Sequence, residues 1–173
     1  NNYKKFYKLD YNPETDIVVT NGATEAIFCT IMALINPGDE VVLLEPFYDS
    51  YLATIQMAQG IAVPVTLKKP DFSFDKEDLL KAISPKTKLL ILNNPHNPTG
   101  KVFTDDEIKF IGELAIKNDF YILSDEVYEH LTFDVDHHPT ATFSKLYDPT
   151  ITISSTGKTF GLTGWKIGWA AAP

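Results

Sequence analysis

The sequence has a single cysteine, Cys29, among 173 residues. One cysteine cannot form an internal disulfide, and a chain of this length buries about 70% of its unfolded surface. No disulfide or metal is therefore needed to hold the fold together. Cys29 lies in an apolar helical stretch, where a lone cysteine is expected to be a small core residue.

Long hydrophobic runs and positive charge are also scarce. The longest uncharged stretch, residues 50–67, is interrupted by glutamines, a glycine and a proline, so it is not a membrane span. Fifteen basic against 23 acidic residues give a net charge of −8, which argues against a nucleic-acid partner. Local basic patches are still able to hold small anions.

The ends of the chain carry little targeting information. The polar start NNYKKFYKLD contains no signal peptide, which favours a cytoplasmic protein without a membrane partner. There is no initiator methionine, and the chain stops directly after an apolar segment, so we expect a piece of a longer protein. The apolar fraction of 44% and the charged fraction of 22% are typical of one globular domain.

Short β-rich runs alternate with amphipathic helical stretches along the chain. Several runs are apolar at successive positions, as expected for strands that are covered on both faces. The predicted strands are residues 16–20, 41–44, 61–65, 88–92, 120–123 and 151–153. This order predicts an α/β fold with a mostly parallel, doubly wound sheet and helices on both faces.

Two of the predicted helices begin with capping signals. Thr104 and Glu107 have the spacing of a capping box ahead of apolar residues at helical intervals. Asp75 and Asp78 repeat that spacing at the start of an earlier helix. Each pair therefore predicts a helix that follows a strand.

Chemically active side chains follow five of the predicted strands. In doubly wound sheets, ligands bind at the carboxyl ends of the strands, in the loops that lead into helices. The five loops are residues 21–25, 45–48, 93–100, 124–128 and 154–159. They place amides, aromatic rings, carboxamides, a carboxylate, a phenol and an amine on one rim, where we expect a shared site.

Two common phosphate-binding motifs are absent from the sequence. The GKT at residues 157–159 resembles the end of a P-loop, but Thr152 occupies the position that requires a glycine. The later glycines form no G-x-G pair, which excludes the dinucleotide fingerprint. Residues 21–24 are a better candidate, because the free amides of a first helical turn bind anions. The alternative is an ordinary strand-to-helix turn with Thr24 as the N-cap.

Each remaining candidate also has an ordinary structural explanation. Asp125 fits a helix N-cap, and Asn97 before a proline fits a turn. Tyr48 fits a half-buried aromatic residue, and Lys158 fits a solvated loop. Their joint occurrence on successive strand-end loops favours a shared site over these separate explanations.

The histidines do not indicate a metal site. His137 and His138 lie in a polar segment with no further histidine or cysteine at ligand spacing, so we expect a solvated loop. His96 lies inside an Asn-Pro-His-Asn-Pro motif and is assigned no catalytic role.

Four segments follow one another along residues 21–169: NGATEA, NNPHNPTGKVF, SDEVYEHL and SSTGKTFGLTGWKIGW. In this order they resemble the fold-type I aminotransferases, which use pyridoxal 5′-phosphate as their cofactor. The second and fourth segments are most similar to the kynurenine, glutamine and methionine aminotransferase branch. Some members of that branch are also cysteine-conjugate β-lyases.

The resemblance implies a catalytic set of Lys158, Asp125 and Tyr128. Lys158 would form a Schiff base with the cofactor and then move a proton to or from the substrate Cα. Asp125 would pair with the pyridine nitrogen and keep it protonated. Tyr128 and Asn97 would hydrogen-bond the phenolic oxygen of the ring, and Tyr48 would stack on the ring face. Asn97 would also contact the substrate carboxylate.

The resemblance also implies a phosphate site. Ala23 and Thr24 would offer backbone amides, and Ser155 would offer its hydroxyl. Asn93 would lie beside the ring and support the loop. Lys166 stands where most of the wider family has an arginine, although the kynurenine-type branch shares the lysine. Because lysine binds phosphate as a point charge, a lower and more salt-sensitive cofactor affinity is expected.

The implied activity is the transfer of an amino group from an amino acid to a 2-oxo acid. Residues 1–173 would be the cofactor-binding large domain of a homodimer, without its N-terminal arm and C-terminal small domain. In the family, that small domain contains the arginine that holds the substrate carboxylate. Two alternatives stay open: a carbon–sulfur β-lyase with the same site, and a non-catalytic aminotransferase-like sensor domain of a regulator.

Overall fold

A computed structural model of the chain describes residues 3–173, in which seven strands form one sheet. Asn1 and Asn2, which begin the predicted domain, lie outside the described residues. The strands are Ile17–Asn21 (β1), Glu40–Glu45 (β2), Ile61–Thr66 (β3), Thr87–Asn93 (β4), Tyr121–Asp125 (β5), Thr150–Ser155 (β6) and Ile167–Ala171 (β7). The α-helices are Ala23–Leu34 (α1), Asp49–Met57 (α2), Lys76–Ala82 (α3), Asp105–Asn118 (α4) and Thr156–Thr159 (α5). Short helical turns of other types cover Tyr3–Tyr7, Thr140–Thr142 and Thr163–Trp165.

The sheet has the strand order β1-β7-β6-β5-β4-β2-β3. All neighbouring strands are parallel except those that flank β7, which runs antiparallel to both β1 and β6. The six predicted strands are confirmed with ends within two residues, and the mostly parallel α/β fold is confirmed with them. The strand β7 is missing from the prediction, because its sequence IGWAA has neither polar–apolar alternation nor a run of β-branched residues.

Helices cover both faces of the parallel strands, as predicted. Consecutive residues of β2 point to opposite faces, so Val41 and Leu43 join one apolar cluster and Val42 and Leu44 join another. The first cluster is completed by α1 and α2, and the second by α3 and α4. The carboxyl ends of the strands are thereby held on a rigid, buried layer.

The two capping signals have different outcomes. The Thr104 hydroxyl accepts the N–H of Glu107 at 3.2 Å, and the Glu107 carboxylate accepts the N–H of Thr104 at 2.8 Å, so this capping box is confirmed. Asp75 caps α3 by accepting the N–H of Glu77 at 2.8 Å. Asp78 does not close a second box, because its carboxylate pairs with Lys68 at 2.8 Å instead.

The expectation that Cys29 is a core residue is wrong. The buried side of α1 contains Ala26, Ile27 and Ile31, whereas Cys29 is exposed on the other side. At about 100° per residue, Cys29 lies roughly half a turn away from Ile27. The apolar composition of α1 therefore overstates how much of the helix is covered.

The helices between residues 3 and 173 are short. The longest, α4, has 14 residues, and none of those described is long and apolar enough to cross a membrane.

Candidate active site

A cavity of about 210 Å³ opens where the strand-end loops meet. Its wall contains side chains or backbone from all five predicted loops and from the segment that precedes β7. The predicted site residues all line it: Ala23, Thr24, Tyr48, Asn93, Asn97, Asp125, Tyr128, Ser155, Lys158 and Lys166. Folding thus brings together residues that lie near opposite ends of the sequence.

Asp125, the last residue of β5, is a buried carboxylate in the cavity wall. Its Oδ2 accepts the hydroxyl of Tyr51 at 2.5 Å, and its Oδ1 accepts the N–H of Val127 at 3.4 Å. Burial raises the pKa of Asp125 to about 6, although both hydrogen bonds favour the carboxylate and oppose that rise. No helix follows β5 directly, so the N-cap interpretation of Asp125 is wrong.

Asn93, at the end of β4, connects two of the loops. Its Nδ2 donates to the backbone carbonyl of Asp125 at 2.9 Å, and its Oδ1 accepts the N–H of Asn97 at 2.7 Å. The carboxamide therefore fixes the turn that carries Asn97 against the end of β5.

His96 stabilises the same turn rather than entering the cavity lining. Its Nδ1 lies 2.8 Å from the hydroxyl of Thr99, and burial lowers the pKa of His96 to about 4. A histidine with this pKa is neutral at physiological pH.

Two lysines reach the cavity from different segments. Lys158 lies in α5, directly after β6, and its Nζ is 5.6 Å from the centroid of the Tyr128 ring. Lys166 lies just before β7, with its aliphatic Cδ 3.7 Å from where a side chain on Gly22 would begin. The aliphatic part of the Lys166 side chain therefore lies beside the start of α1.

The start of α1 forms the third positive element. Gly22 is the N-cap, and no side chain caps the helix. The amides of Ala23 and Thr24 in the first turn have no intrahelical carbonyl partner, and both residues line the cavity. The alternative with Thr24 as the N-cap is wrong, because α1 begins before it.

The close approach of α1 to β7 depends on Gly168. A Cβ on Gly168 would lie 2.4 Å from both the Ala23 nitrogen and the Gly22 carbonyl carbon. Only glycine permits the sheet to support the α1 turn at this distance.

Several lining residues are absent from the predicted set: Gly22, Ile27, Tyr51, Val127, Gly157, Thr163 and Ile167. Tyr51 is the chemically most informative of them, because it contacts Asp125 directly. Its ring also packs edge-to-face against Tyr48, with centroids 5.7 Å apart. The spacing of three residues between the two tyrosines indicates that their rings are neighbours, but it does not indicate the contact with Asp125.

The prediction of a solvated loop is wrong for His137. The side chain is only 2% exposed, and its Nε2 lies 3.1 Å from the Glu126 carboxylate. Glu126 is also buried and accepts the Ser124 hydroxyl at 2.7 Å and the Thr140 N–H at 3.0 Å. A buried carboxylate is stable only with such partners, and the contact with Glu126 therefore favours a buried position for His137.

His138 differs from His137 in being 54% exposed, which agrees with the prediction. Within residues 3–173, no group of three or more histidine, cysteine or acidic side chains has an arrangement that could hold a metal ion.

The sequence of residues 1–173 matches the family model of aminotransferase class I and II. The chain belongs to this family. Its sheet and helices also match solved aminotransferase structures of the pyridoxal-phosphate transferase fold, which confirms the expected family resemblance.

Individual relatives show how far the similarity extends. A probable N-succinyldiaminopimelate aminotransferase DapC of Mycobacterium tuberculosis is 46% identical over 173 residues, with 98% of this chain and 44% of the relative covered. A kynurenine–oxoglutarate transaminase of Dictyostelium discoideum is 43% identical over 189 residues, with 99% and 43% covered. The structure of Escherichia coli YbdL, described as having a methionine aminotransferase function, has a TM-score of 0.96 at 36% identity, with 99% and 46% covered. This chain thus spans less than half the length of these relatives.

Members of the family use pyridoxal 5′-phosphate, and the cavity has the donor set that this cofactor requires. Unpaired helix-start amides, a serine hydroxyl and Lys166 suit a phosphate, because each offers a hydrogen or a positive charge. The buried Asp125 carboxylate suits a protonated ring nitrogen, and the Lys158 amine suits an aldehyde. The residues present therefore fit the cofactor.

Proposed function

We propose that this chain forms the cofactor site of a pyridoxal-phosphate-dependent aminotransferase that acts on an amino acid and a 2-oxo acid. The observation that carries the proposal is the convergence of Lys158, Asp125 and the uncapped start of α1 on one cavity. Each of these groups complements a different functional group of the cofactor.

The phosphate-binding end of the proposed site is the start of α1. The amides of Ala23 and Thr24 would donate to the anion, while Ser155 of β6 and Lys166 of the segment before β7 would offer a hydroxyl and an ammonium group. The helix dipole adds to this attraction, since its positive end lies at the same place.

The ring-binding end is the carboxyl edge of β4 and β5. Asp125 would accept a hydrogen bond from the ring nitrogen and so keep a proton there. Tyr128 and Asn97 would donate hydrogen bonds to the ring oxygen, and Asn93 holds Asn97 in place by accepting its N–H at 2.7 Å. Tyr48, which is 36% exposed, would cover one face of the ring.

The chemical step requires a base beside the substrate Cα. When bound, the cofactor supplies an aldehyde that takes up the amino group and a ring that accepts electron density from Cα. Lys158 would hold the cofactor through Nζ and, with its amine free, would act as the base that takes up the proton of the substrate Cα. Lys158 lies near the Tyr128 ring, which leaves its amine on the cavity side of α5.

The proposal is tested by measuring amino transfer from a panel of amino acids to 2-oxo acids with the full-length protein. Lys158→Ala should lower the rate by about a thousandfold, within the usual range for loss of a general base. Lys117→Ala, which removes an exposed lysine on α4, is the matched control and should retain full activity. Equal rates for wild type and Lys158→Ala would contradict the proposal.

The two alternative functions give different results with the same protein. A β-lyase could use the same site, because elimination and transamination share the deprotonation at Cα. It would release pyruvate and ammonia from a cysteine conjugate faster than it transfers amino groups. A sensor domain would bind the cofactor without either reaction. A DNA-binding helix-turn-helix upstream in the parent sequence would also favour the sensor function.

We further propose that residues 1–173 are the large domain of a longer, cytoplasmic homodimer with an N-terminal arm and a C-terminal small domain. The limited coverage of the relatives supports this arrangement. So do the exposed apolar side chains on β1 and α1, including Val18 at 63%, Val19 at 71% and Met32 at 44% exposed, which further protein would cover.

The composition of the chain supports the same division. All 15 basic residues are lysines, so the bidentate arginine that suits a substrate carboxylate must come from elsewhere. The mass of the full-length protein in solution, measured by light scattering, should be that of a dimer. The isolated 173-residue chain should bind the cofactor weakly and show little turnover, whereas activity near that of the full-length protein would contradict the proposed domain division.

A further inference from the structure

Tyr51 and Asp125 form a buried hydrogen bond across 74 positions of sequence. Tyr51 lies on α2, is 2% exposed, and directs its hydroxyl at Asp125 Oδ2 from 2.5 Å. Burial and the neighbouring Asp125 raise the pKa of the Tyr51 phenol well above its usual value, so the hydroxyl stays protonated and acts as the donor.

The two carboxylate oxygens of Asp125 are used unequally. Oδ2 accepts the Tyr51 hydroxyl at 2.5 Å, whereas Oδ1 receives only the long contact of 3.4 Å from the Val127 N–H. An oxygen with one weak donor retains the capacity to accept another. Tyr51 fixes the rotation of the Asp125 carboxylate and therefore determines which of its oxygens a ligand in the cavity meets.

The same helix start also supplies Tyr48. Tyr48 is the N-cap of α2, and its ring packs edge-to-face against Tyr51. The start of α2 thus positions the Tyr48 ring and orients the Asp125 carboxylate. In the proposed site, both groups act on the same cofactor ring.

We propose that Tyr51 is a positioning residue that fixes the Asp125 carboxylate through Oδ2 and leaves Oδ1 to receive the N–H of the cofactor ring. This inference rests on the proposed function, since the orientation of Asp125 matters to catalysis only when the ring is bound. The neutral phenol also stabilises the carboxylate without adding a positive charge that would compete with the ring nitrogen.

The test uses full-length Tyr51→Phe, which removes the hydroxyl and keeps the ring. In the cofactor-free protein, the ionisation of Asp125 is followed by infrared spectroscopy with ¹³C-labelled aspartate, and its signal is identified by its loss in Asp125→Asn. Because the Tyr51 hydroxyl donates a hydrogen bond to the ionised carboxylate, its removal should raise the pKa of Asp125 by about one unit or more. In the loaded enzyme, kcat should fall about tenfold, with KM changed less than about threefold.

Tyr3→Phe is the matched control, because it also removes a buried phenol hydroxyl, which accepts the Trp169 Nε1–H at 2.8 Å outside the cavity. It should leave the ionisation of Asp125 and the kcat unchanged. If Tyr51→Phe does not fold, site-specific 3-fluorotyrosine at position 51 provides a more acidic donor, which should lower the pKa of Asp125.

The outcomes separate this inference from the proposed function. An Asp125 ionisation that is unchanged in Tyr51→Phe, or unchanged by fluorination, would overturn the role of Tyr51 even if the enzyme transfers amino groups. If the infrared shift is present but the wild-type protein binds no cofactor, the contact between Tyr51 and Asp125 stands, while the proposed function and the catalytic part of this inference fail.

Discussion

Gly168→Ala tests whether the contact between β7 and the start of α1 supports the turn that we propose binds phosphate. The added Cβ would lie 2.4 Å from the Ala23 nitrogen and the Gly22 carbon, about 1 Å inside ordinary van der Waals contact. Both neighbours are backbone atoms, so a rotamer change cannot relieve the clash. β7 is also held on both sides by β1 and β6, which prevents it from moving away alone.

Overpacking of this kind destabilises proteins by about 1–3 kcal/mol, and the backbone clash places Gly168→Ala near the upper end. A shift of Ala23 should also weaken the hydrogen bond that we propose its N–H donates to the cofactor phosphate. Since hydrogen bonds to charged groups contribute about 1.5–3 kcal/mol, affinity should fall by about tenfold or more.

The measurements are urea unfolding of the cofactor-free, full-length protein and a spectroscopic titration with pyridoxal phosphate. Gly164→Ala is the matched control, because a Cβ at Gly164 meets no atom within 4 Å. This control should remain within about 1 kcal/mol of wild type. If Gly168→Ala matched Gly164→Ala in both stability and affinity, β7 would not be the support of the α1 turn.

Three further substitutions test other parts of the structure. His137→Ala removes a partner of buried Glu126 and should lower the free energy of unfolding in urea by about 1–3 kcal/mol. The control His138→Ala, at an exposed histidine, should lower it by less than about 0.5 kcal/mol. Equal decreases for the two variants would contradict the burial of His137. The pKa of Asp125 is about 6 in the folded protein, against an ordinary value of 3.8. Protonation of Asp125 therefore stabilises the fold fully below about pH 4, and this stabilisation is lost as the pH rises through 6. Asp125→Asn should remove that loss, roughly 3 kcal/mol between pH 4 and pH 7, and an unchanged pH dependence of unfolding would refute the burial argument. Thr104→Ala should lower the free energy of unfolding in urea by about 1 kcal/mol, because it removes the capping box of α4. A change near zero would show that the capping box does not contribute to stability.

The sequence predicts the parallel part of the fold well, because there local pattern and tertiary environment agree. The strand β4 is apolar at successive positions, and the structure buries it on both faces. The capping box of α4 is decided by residues three positions apart, so it is visible in the sequence. In contrast, β7 becomes a strand through pairing with β1 and β6, which are distant in sequence.

In the candidate site, too, the residues marked by local motifs are predicted, and those that depend on distant contacts are not. Residues such as Asp125 and Lys158 are predicted because they follow strands within motifs of the family, and the structure brings them to one cavity. Tyr51 escapes prediction because its function depends on a single contact with a residue 74 positions away. His137 escapes because its polar neighbours indicate solvent, while the buried Glu126 that holds it lies on another segment.

The central claim is that Lys158 in this cavity binds pyridoxal phosphate. The most direct measurement is borohydride treatment of the full-length protein loaded with the cofactor, followed by mass spectrometry of its peptides. We expect the cofactor to be fixed to the peptide that contains Lys158 and to be lost in Lys158→Ala. Labelling of a different lysine, or equal labelling in Lys158→Ala, would contradict the claim.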